Sequence, residues 1–154
     1  MCCLSPFLMV VSLAGGSRLV LSAPDGMSSF ELVFEVVPEV ISIKEDIFVA
    51  LEQQTRHDCI LASNSSSFMS EELLGKVKDE TKTRVLNTHF MMPPQICIPE
   101  TPIFAKLQAL IVELMTSGRT AKDIFPFLSQ EMIKCGLKPV TAKQESSGFI
   151  FNRI

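Results

Sequence analysis

Short apolar segments alternate with amphipathic segments along most of this 154-residue chain, and this alternation constrains the fold more than any other feature. Residues 30–37 are rich in β-branched and aromatic side chains and end at Pro38, which is typical of a buried strand. The next segment places one set of apolar residues at helical spacing: Ile43, Ile47, Phe48 and Leu51. The pattern predicts an α/β fold in which helices cover a mainly parallel sheet.

Further strands and helices continue this pattern toward the end of the chain. The predicted strands are residues 59–62, 84–90, 111–115 and 138–143. Ser70 precedes two glutamates and predicts a helix N-cap, because the helix dipole favours anions in the first turn. Thr120, with Asp123 three residues later, resembles a capping box that opens a helix to about Leu137, and Gly136 indicates where that helix stops.

Four short blocks fall where predicted strands end. They are FEVVPE at 34–39, LASNSSS at 61–67, THFMMPP at 88–94 and SSGFIFNRI at 146–154. In parallel sheets the ligand lies outside the carboxyl ends of the strands. The blocks therefore predict a binding site along one edge of the sheet.

Taken in this order, the four blocks resemble the NAD-binding domain of the NAD-dependent 3-hydroxyacyl-CoA dehydrogenases over residues 30–154. The resemblance implies an incomplete Rossmann-like fold with NAD as the cofactor. It also implies an oxidoreductase that transfers hydride between NAD and a 3-hydroxyacyl-CoA, or a related 3-hydroxy acid, in fatty-acid metabolism. The expected partner is thus a small-molecule substrate of the acyl-CoA type.

The same resemblance assigns roles to residues in the first two blocks. The glutamate that closes an E-x-x-x-E strand end and a lysine five residues later lie along the cofactor in the family, which implies these positions for Glu39 and Lys44. Asn64 takes the place of an asparagine near the nicotinamide ribose. Ser66 takes the place of a serine that lies at the cofactor and bonds the substrate hydroxyl. Ser65 stands where threonine is usual.

His89 in the third block matches the family's general base, which takes a proton from the 3-hydroxyl of the substrate. A carboxylate should orient this histidine. Glu113, in the strand-like IVELMTSG context, is the preferred candidate, although it follows His89 by 24 residues where the family has roughly a dozen. The difference predicts an insertion at about 96–110. Glu100 fits the count but lies between prolines, which makes a poor strand.

The last block implies that Asn152 binds the substrate oxygen. Met92 and Ser147 depart from the family, which usually has asparagine and proline at these positions. In the family a helical domain follows this point, completes the substrate cleft and forms a homodimer. Only the dinucleotide-binding part is therefore expected here.

Residues 1–29 form an unassigned apolar segment. No G-x-G-x-x-G motif occurs in the chain, and Gly15-Gly16 is predicted to form a turn. Because a glycine-rich turn and a helix N-terminus normally bind the pyrophosphate, we expect this chain alone to bind NAD weakly or not at all. One alternative is a non-catalytic, truncated remnant or a module that binds a partner through an exposed sheet edge or apolar surface.

Composition excludes several other classes of function. The net charge is −3 and no Lys/Arg run occurs, so nucleic acid is not an expected partner. The apolar start contains Arg18 and is too short for a membrane span, although a secreted protein cleaved near Ala23 stays an alternative. Five cysteines without C-x-x-C spacing favour a reduced intracellular compartment and no structural metal.

Overall fold

The computed structural model describes residues 8–14, 17–20, 31–90, 111–142 and 146. Eleven elements lie within these residues. The strands are β1 (Leu8–Ala14), β2 (Ser17–Val20), β3 (Leu32–Val36), β4 (Ile60–Ser63), β5 (Val85–Phe90), β6 (Ile111–Thr116) and β7 (Lys138–Ala142). The helices are α1 (Ile41–Gln54), α2 (Ser70–Leu73), α3 (Asp79–Lys82) and α4 (Ile124–Lys134).

All seven strands join one sheet in the order β2-β1-β3-β4-β5-β6-β7. The pairs β1/β3, β3/β4, β4/β5 and β6/β7 are parallel, whereas β1/β2 and β5/β6 are antiparallel. The prediction of an α/β fold with a mainly parallel sheet is confirmed. The antiparallel β5/β6 pair was not predicted, and it matters for the functional site.

Side chains of alternate residues divide the core between the two faces of the sheet. On one face, Val33 and Leu61 pack with Phe48 and Leu51 of α1. On the other face, Phe34 and its neighbours pack with Leu128 and other residues of α4. Because both faces are covered, the amino-terminal halves of β3, β4 and β5 are apolar, as expected for a parallel sheet.

Helix α1 buries the face that the apolar spacing predicted. Phe48 and Leu51 are buried, and Ile43 and Ile47 pack against the same cluster. Lys44 is also buried on this face, since it precedes Phe48 by one helical turn. A charged residue on the covered face therefore needs a partner inside the molecule.

Two predicted helix starts were wrong. Ser70 is the first residue of α2 rather than its cap, and the N-cap is Met69, whose backbone N–H donates to the Glu72 carboxylate at 2.8 Å. Thr120 does not cap α4, which begins after Asp123. The Thr120 hydroxyl instead donates to the Val85 carbonyl at 2.6 Å, so a distant strand supplies its acceptor.

The end of α4 is close to its prediction. The helix ends at Lys134, and Gly136 has a φ of +79°, a left-handed conformation that glycine adopts without steric penalty. Strand β7 follows directly, and it pairs in parallel with β6. The short connection places α4 against β7 on one side of the sheet.

The first 29 residues contribute two strands to the sheet. β1 runs parallel to β3, and β2 pairs with the free side of β1. Gly15-Gly16 lies outside the described residues. Within the described ranges, none of the helices has the length and apolar character that a membrane span requires.

Candidate functional site

The carboxyl ends of β1, β3, β4 and β5 lie at the same edge of the sheet, because these four strands are mutually parallel. Glu39 follows β3, Asn64 and Ser66 follow β4, and His89 lies near the end of β5. The structure therefore brings four sequence-predicted residues to one edge. This is the place where open α/β sheets bind ligands.

The segment after β4 is held by hydrogen bonds on both sides. The Asn64 backbone N–H donates to the Glu35 carbonyl at 2.9 Å, and the Ser66 N–H donates to Glu39 Oε1 at 3.2 Å. On the other side, Asn64 Oδ1 accepts the Phe90 backbone N–H at 3.3 Å. These contacts join the ends of three adjacent strands into one surface.

Ser65, at the position where the family usually has threonine, lies at the centre of this segment. Its side chain is fully buried, and its hydroxyl donates to Glu39 Oε2 at 2.8 Å. Ser65 Oγ also accepts hydrogen bonds from the backbone N–H groups of Ser67 and Phe68 at 3.3 and 3.0 Å. The Ser65 hydroxyl thus makes one hydrogen bond as donor and two as acceptor.

Glu39 and Lys44 occupy different depths at this edge. The Glu39 side chain is 39% exposed, and its carboxylate bonds the segment after β4. The Lys44 side chain is only 1% exposed. Its ammonium donates to Glu35 Oε1 at 2.9 Å and to the Val37 carbonyl at 3.2 Å, and it lies 3.9 Å from Glu39 Oε1. Lys44 thus faces the interior, beneath Glu39.

His89 and Glu113 face each other across the antiparallel β5/β6 pair. His89 Nδ1 lies 3.3 Å from Glu113 Oε2, and the two side chains are 16% and 5% exposed. His89 and Glu113 are 24 residues apart in sequence, but they are neighbours in the sheet because β6 runs antiparallel to β5. The pair can hold one imidazole tautomer, in which Nδ1 carries the hydrogen and Nε2 the lone pair.

Sequence reasoning missed a row of buried polar side chains that crosses three strands. Glu35, Ser63 and Asn87 are adjacent in register, and all three are fully buried on the α1 face. Asn87 Nδ2 donates to the Phe68 carbonyl at 3.0 Å, while its Oδ1 has no hydrogen-bond partner among the residues that the structure describes. The signal was present, since each residue interrupts an apolar strand at the same alternation.

Several predicted positions lie outside the described residues. They are Met92, Glu100, the insertion at 96–110, Ser147 and Asn152. The roles of His89, Glu113, Ser66, Asn64, Glu39 and Lys44 stay predictions, although the structure places these six residues at one edge. Among the described residues, no group of three potential metal ligands occurs.

The described groups fit part of a dinucleotide. The exposed carboxylate of Glu39, the half-buried amide of Asn64 and the hydroxyl of Ser66 suit the hydroxyl groups of a ribose, because a ribose hydroxyl both donates and accepts hydrogen bonds. Lys44, which is the cation of the predicted cofactor residues, is buried and paired with Glu35, so it is not free to bind the pyrophosphate. Phosphate contacts from the described part of this edge are therefore not expected to be strong.

Comparison with known proteins agrees with the family resemblance of the sequence blocks. Residues 18–145 match the family model described as "3-hydroxyacyl-CoA dehydrogenase, NAD binding domain". The 3-hydroxybutyryl-CoA dehydrogenase of Clostridioides difficile is 31% identical over 130 residues, which are 84% of this chain and 41% of that protein. The 3-hydroxyacyl-CoA dehydrogenase-like protein LAM1 of Cochliobolus heterostrophus is 47% identical over 73 residues, which are 47% of this chain and 13% of that protein.

A solved structure resembles the fold. The NAD⁺-dependent 5-formyl-3-hydroxy-2-methylpyridine 4-carboxylic acid 5-dehydrogenase superimposes with a TM-score of 0.67 at 29% identity, over 84% of this chain and 37% of that chain. The chain thus spans well under half the length of each of these three relatives. Its sequence and fold correspond to the dinucleotide-binding part of larger proteins.

Proposed function

Because this chain belongs to the family of NAD-binding domains of 3-hydroxyacyl-CoA dehydrogenases, we propose that it serves hydride transfer between NAD and a 3-hydroxyacyl-CoA or a related 3-hydroxy acid. NAD is the cofactor of this domain family. The observation that carries the proposal is the His89–Glu113 pair, which lies at the strand edge beside the segment Asn64–Ser66. That arrangement supplies a base, its orienting carboxylate and a polar surface for a ligand.

His89 acts as the general base in this proposal. The Nδ1 hydrogen directed toward Glu113 leaves the lone pair on Nε2, and Nε2 takes the proton of the substrate 3-hydroxyl. The Glu113 carboxylate stabilises the imidazolium that forms. NAD would supply the acceptor for the hydride on the carbon atom that bears this hydroxyl, and Glu39, Asn64 and Ser66 would hold it.

The cofactor side of the site consists of Glu39, Asn64 and Ser66 at the surface, with Lys44 beneath Glu39. Ser66 also bonds the substrate hydroxyl, and Asn152 binds the substrate oxygen, as the family resemblance implies. Because the chain has no G-x-G-x-x-G motif, NAD binding is expected to be weak. Isothermal titration of the purified chain with NAD measures this, and tight binding in the micromolar range contradicts it.

A substrate without CoA is the second candidate, and a specific finding favours it. The 5-formyl-3-hydroxy-2-methylpyridine 4-carboxylate 5-dehydrogenase of Mesorhizobium japonicum is 29% identical over 84% of this chain, and its name describes a free aromatic acid. Rates of NADH formation with 3-hydroxybutyryl-CoA and with free 3-hydroxybutyrate distinguish the two candidates. A rate that requires CoA excludes the free acid.

Replacement of His89 by Gln tests the catalytic part of the proposal. We expect turnover to fall by roughly 10²–10⁴-fold, because the general base is lost, while the affinity for NAD is unchanged. His57→Gln is the matched control, since His57 is exposed and lies at the other end of the sheet. Retained turnover in the His89→Gln protein contradicts the assignment, and the lack of any NADH formation by the wild-type chain contradicts the enzymatic proposal as a whole.

A further inference from the structure

Glu35 is a fully buried carboxylate at the end of β3, on the face covered by α1. It accepts hydrogen bonds from an ammonium group, a backbone N–H and a hydroxyl. The Lys44 ammonium and the Val37 backbone N–H approach Oε1 at 2.9 and 2.7 Å, and the Ser63 hydroxyl approaches Oε2 at 2.7 Å. A buried carboxylate is stable only with such a set of donors.

The network around Glu35 continues into the segment after β4. The Asn64 N–H donates to the backbone carbonyl of Glu35 at 2.9 Å, and the Ser65 N–H donates to the Ser63 hydroxyl at 3.2 Å. The Ser66 N–H donates to Glu39, whose carboxylate lies 3.9 Å from the Lys44 ammonium. Three consecutive amides are therefore held by Glu35 and by groups that contact Glu35 or Lys44.

We propose that Glu35 is a positioning residue for the edge of the sheet where the cofactor is proposed to bind. It orders the segment Asn64–Ser66 through the hydroxyl of Ser63. Lys44 acts in the same way, through Glu35 and Glu39, rather than by contact with the cofactor. The geometry supports this because the Lys44 side chain is 1% exposed and its ammonium already donates to Glu35 and to the Val37 carbonyl. The effect on NAD rests on the proposed function, whereas the ordering of the segment does not.

Glutamine at position 35 is the informative change. Its amide has one acceptor oxygen and one NH₂ group, so an NH₂ group takes the place of one of the two carboxylate oxygens. Either the Ser63 hydroxyl must turn from donor to acceptor or the contact with Lys44 is lost, and in both cases the buried ion pair loses its negative charge. Ser63→Ala is narrower, because it removes the link to the segment and keeps the Glu35–Lys44 ion pair intact.

The first measurement is amide hydrogen exchange of the full chain without NAD. Both variants should accelerate exchange at Asn64–Ser66 by about tenfold, which corresponds to the loss of one hydrogen bond. Exchange in β5 should be unchanged in Ser63→Ala. Ser67→Ala is the matched control, since the Ser67 side chain is exposed and lies in the same segment. Unchanged exchange at Asn64–Ser66 in Ser63→Ala overturns the proposal.

The second measurement is calorimetric titration of the same proteins with NAD. We expect Ser63→Ala to weaken NAD binding by about tenfold with little change in melting temperature, and Ser67→Ala to bind as the wild type does. Accelerated exchange with unchanged NAD affinity overturns the link between this network and the cofactor. If the wild type gives no heat with NAD, the cofactor part of the proposed function fails, while the exchange result still decides whether Glu35 orders the segment.

Discussion

An ion pair and an imidazole–carboxylate pair lie at the same edge of the sheet, and they differ in burial and in the number of their partners. In the Glu35–Lys44 pair the side chains are 0% and 1% exposed, with 2.9 Å between the charged atoms. In the His89–Glu113 pair the exposures are 16% and 5%, and the distance is 3.3 Å. The first pair is closed to solvent, whereas the second keeps its imidazole partly accessible.

This difference separates a structural role from a chemical one. Backbone and hydroxyl donors complete the hydrogen bonding of Glu35, so a change of charge there disturbs several elements at once. His89 lies on a strand end, where proton exchange with a ligand is possible, and Glu113 supports one of its two nitrogens. We therefore expect large stability effects at the first pair and small ones at the second.

The largest stability effect is expected from Lys44→Met. This change leaves the Glu35 carboxylate buried without its cation, and we expect it to lower the free energy of unfolding by about 3–5 kcal/mol. Urea unfolding followed by circular dichroism measures the change. Lys76→Met is the matched control, because Lys76 also contacts two carboxylates but is 50% exposed, and its loss should change stability by about 0–1 kcal/mol. Equal losses in the free energy of unfolding from the two substitutions contradict the structural role of the buried Glu35–Lys44 pair.

The next largest effect is expected from a change of pH. It tests whether the core covered by α1 also excludes water at the amino end of β4. Cys59 is fully buried there in the same apolar cluster as Phe48, and burial raises the pKa of its thiol from 9.0 to about 11. Between these values the unfolded chain loses the thiol proton and the folded chain keeps it. The free energy of unfolding should therefore fall by about 2–3 kcal/mol as the pH rises from 9 to 11.

Cys59→Ala provides the control for this pH dependence. The alanine variant is less stable at neutral pH because a buried sulfur is removed, but the difference between the two proteins should shrink steadily above pH 9. Urea unfolding of both proteins at a series of pH values measures this difference. A constant difference between pH 8 and pH 11 shows that the thiol is accessible to solvent and contradicts the buried environment.

The smallest stability effect is expected from Glu113→Gln. The amide keeps a hydrogen-bonding group beside His89, so we expect a change of about 1 kcal/mol or less in the free energy of unfolding. Turnover should fall more than stability does, because the neutral amide stabilises the imidazolium less well. Thermal unfolding and NADH formation measure the two quantities on one preparation. A stability loss as large as that of Lys44→Met removes the distinction between the pairs.

Most of the fold was predictable because its elements have local signals. The strands β3, β4, β5, β6 and β7 were each predicted within two residues of their observed bounds from apolar runs and their neighbouring prolines or polar residues. Helix α1 was predicted from side-chain spacing. Helix starts were less predictable: the Thr120 hydroxyl has the right type and spacing for a cap, but a strand carbonyl far along the chain accepts its hydrogen bond instead.

The candidate site was predicted only in part. Residue types and family resemblance led to His89, Glu113, Glu39, Asn64 and Ser66, and the structure places all five at one edge. Glu35 was missed because the family resemblance assigned roles only to the second glutamate of the E-x-x-x-E pattern, Glu39, and to Lys44. The helical spacing from Lys44 to Phe48 and Leu51 already indicated a buried charge on α1, and a buried partner on β3 would have followed from it.

The sequence by itself determined which segments form strands and helices, since side-chain periodicity and β-branched content act within a few residues. It also determined the polar residues that follow the strands. Only the tertiary structure decided that β6 runs antiparallel to β5, which places Glu113 opposite His89. It likewise decided that Glu35, Lys44 and Ser63 are buried together. Strand direction and burial depend on contacts between segments that are distant in the chain, and no local pattern specifies those contacts.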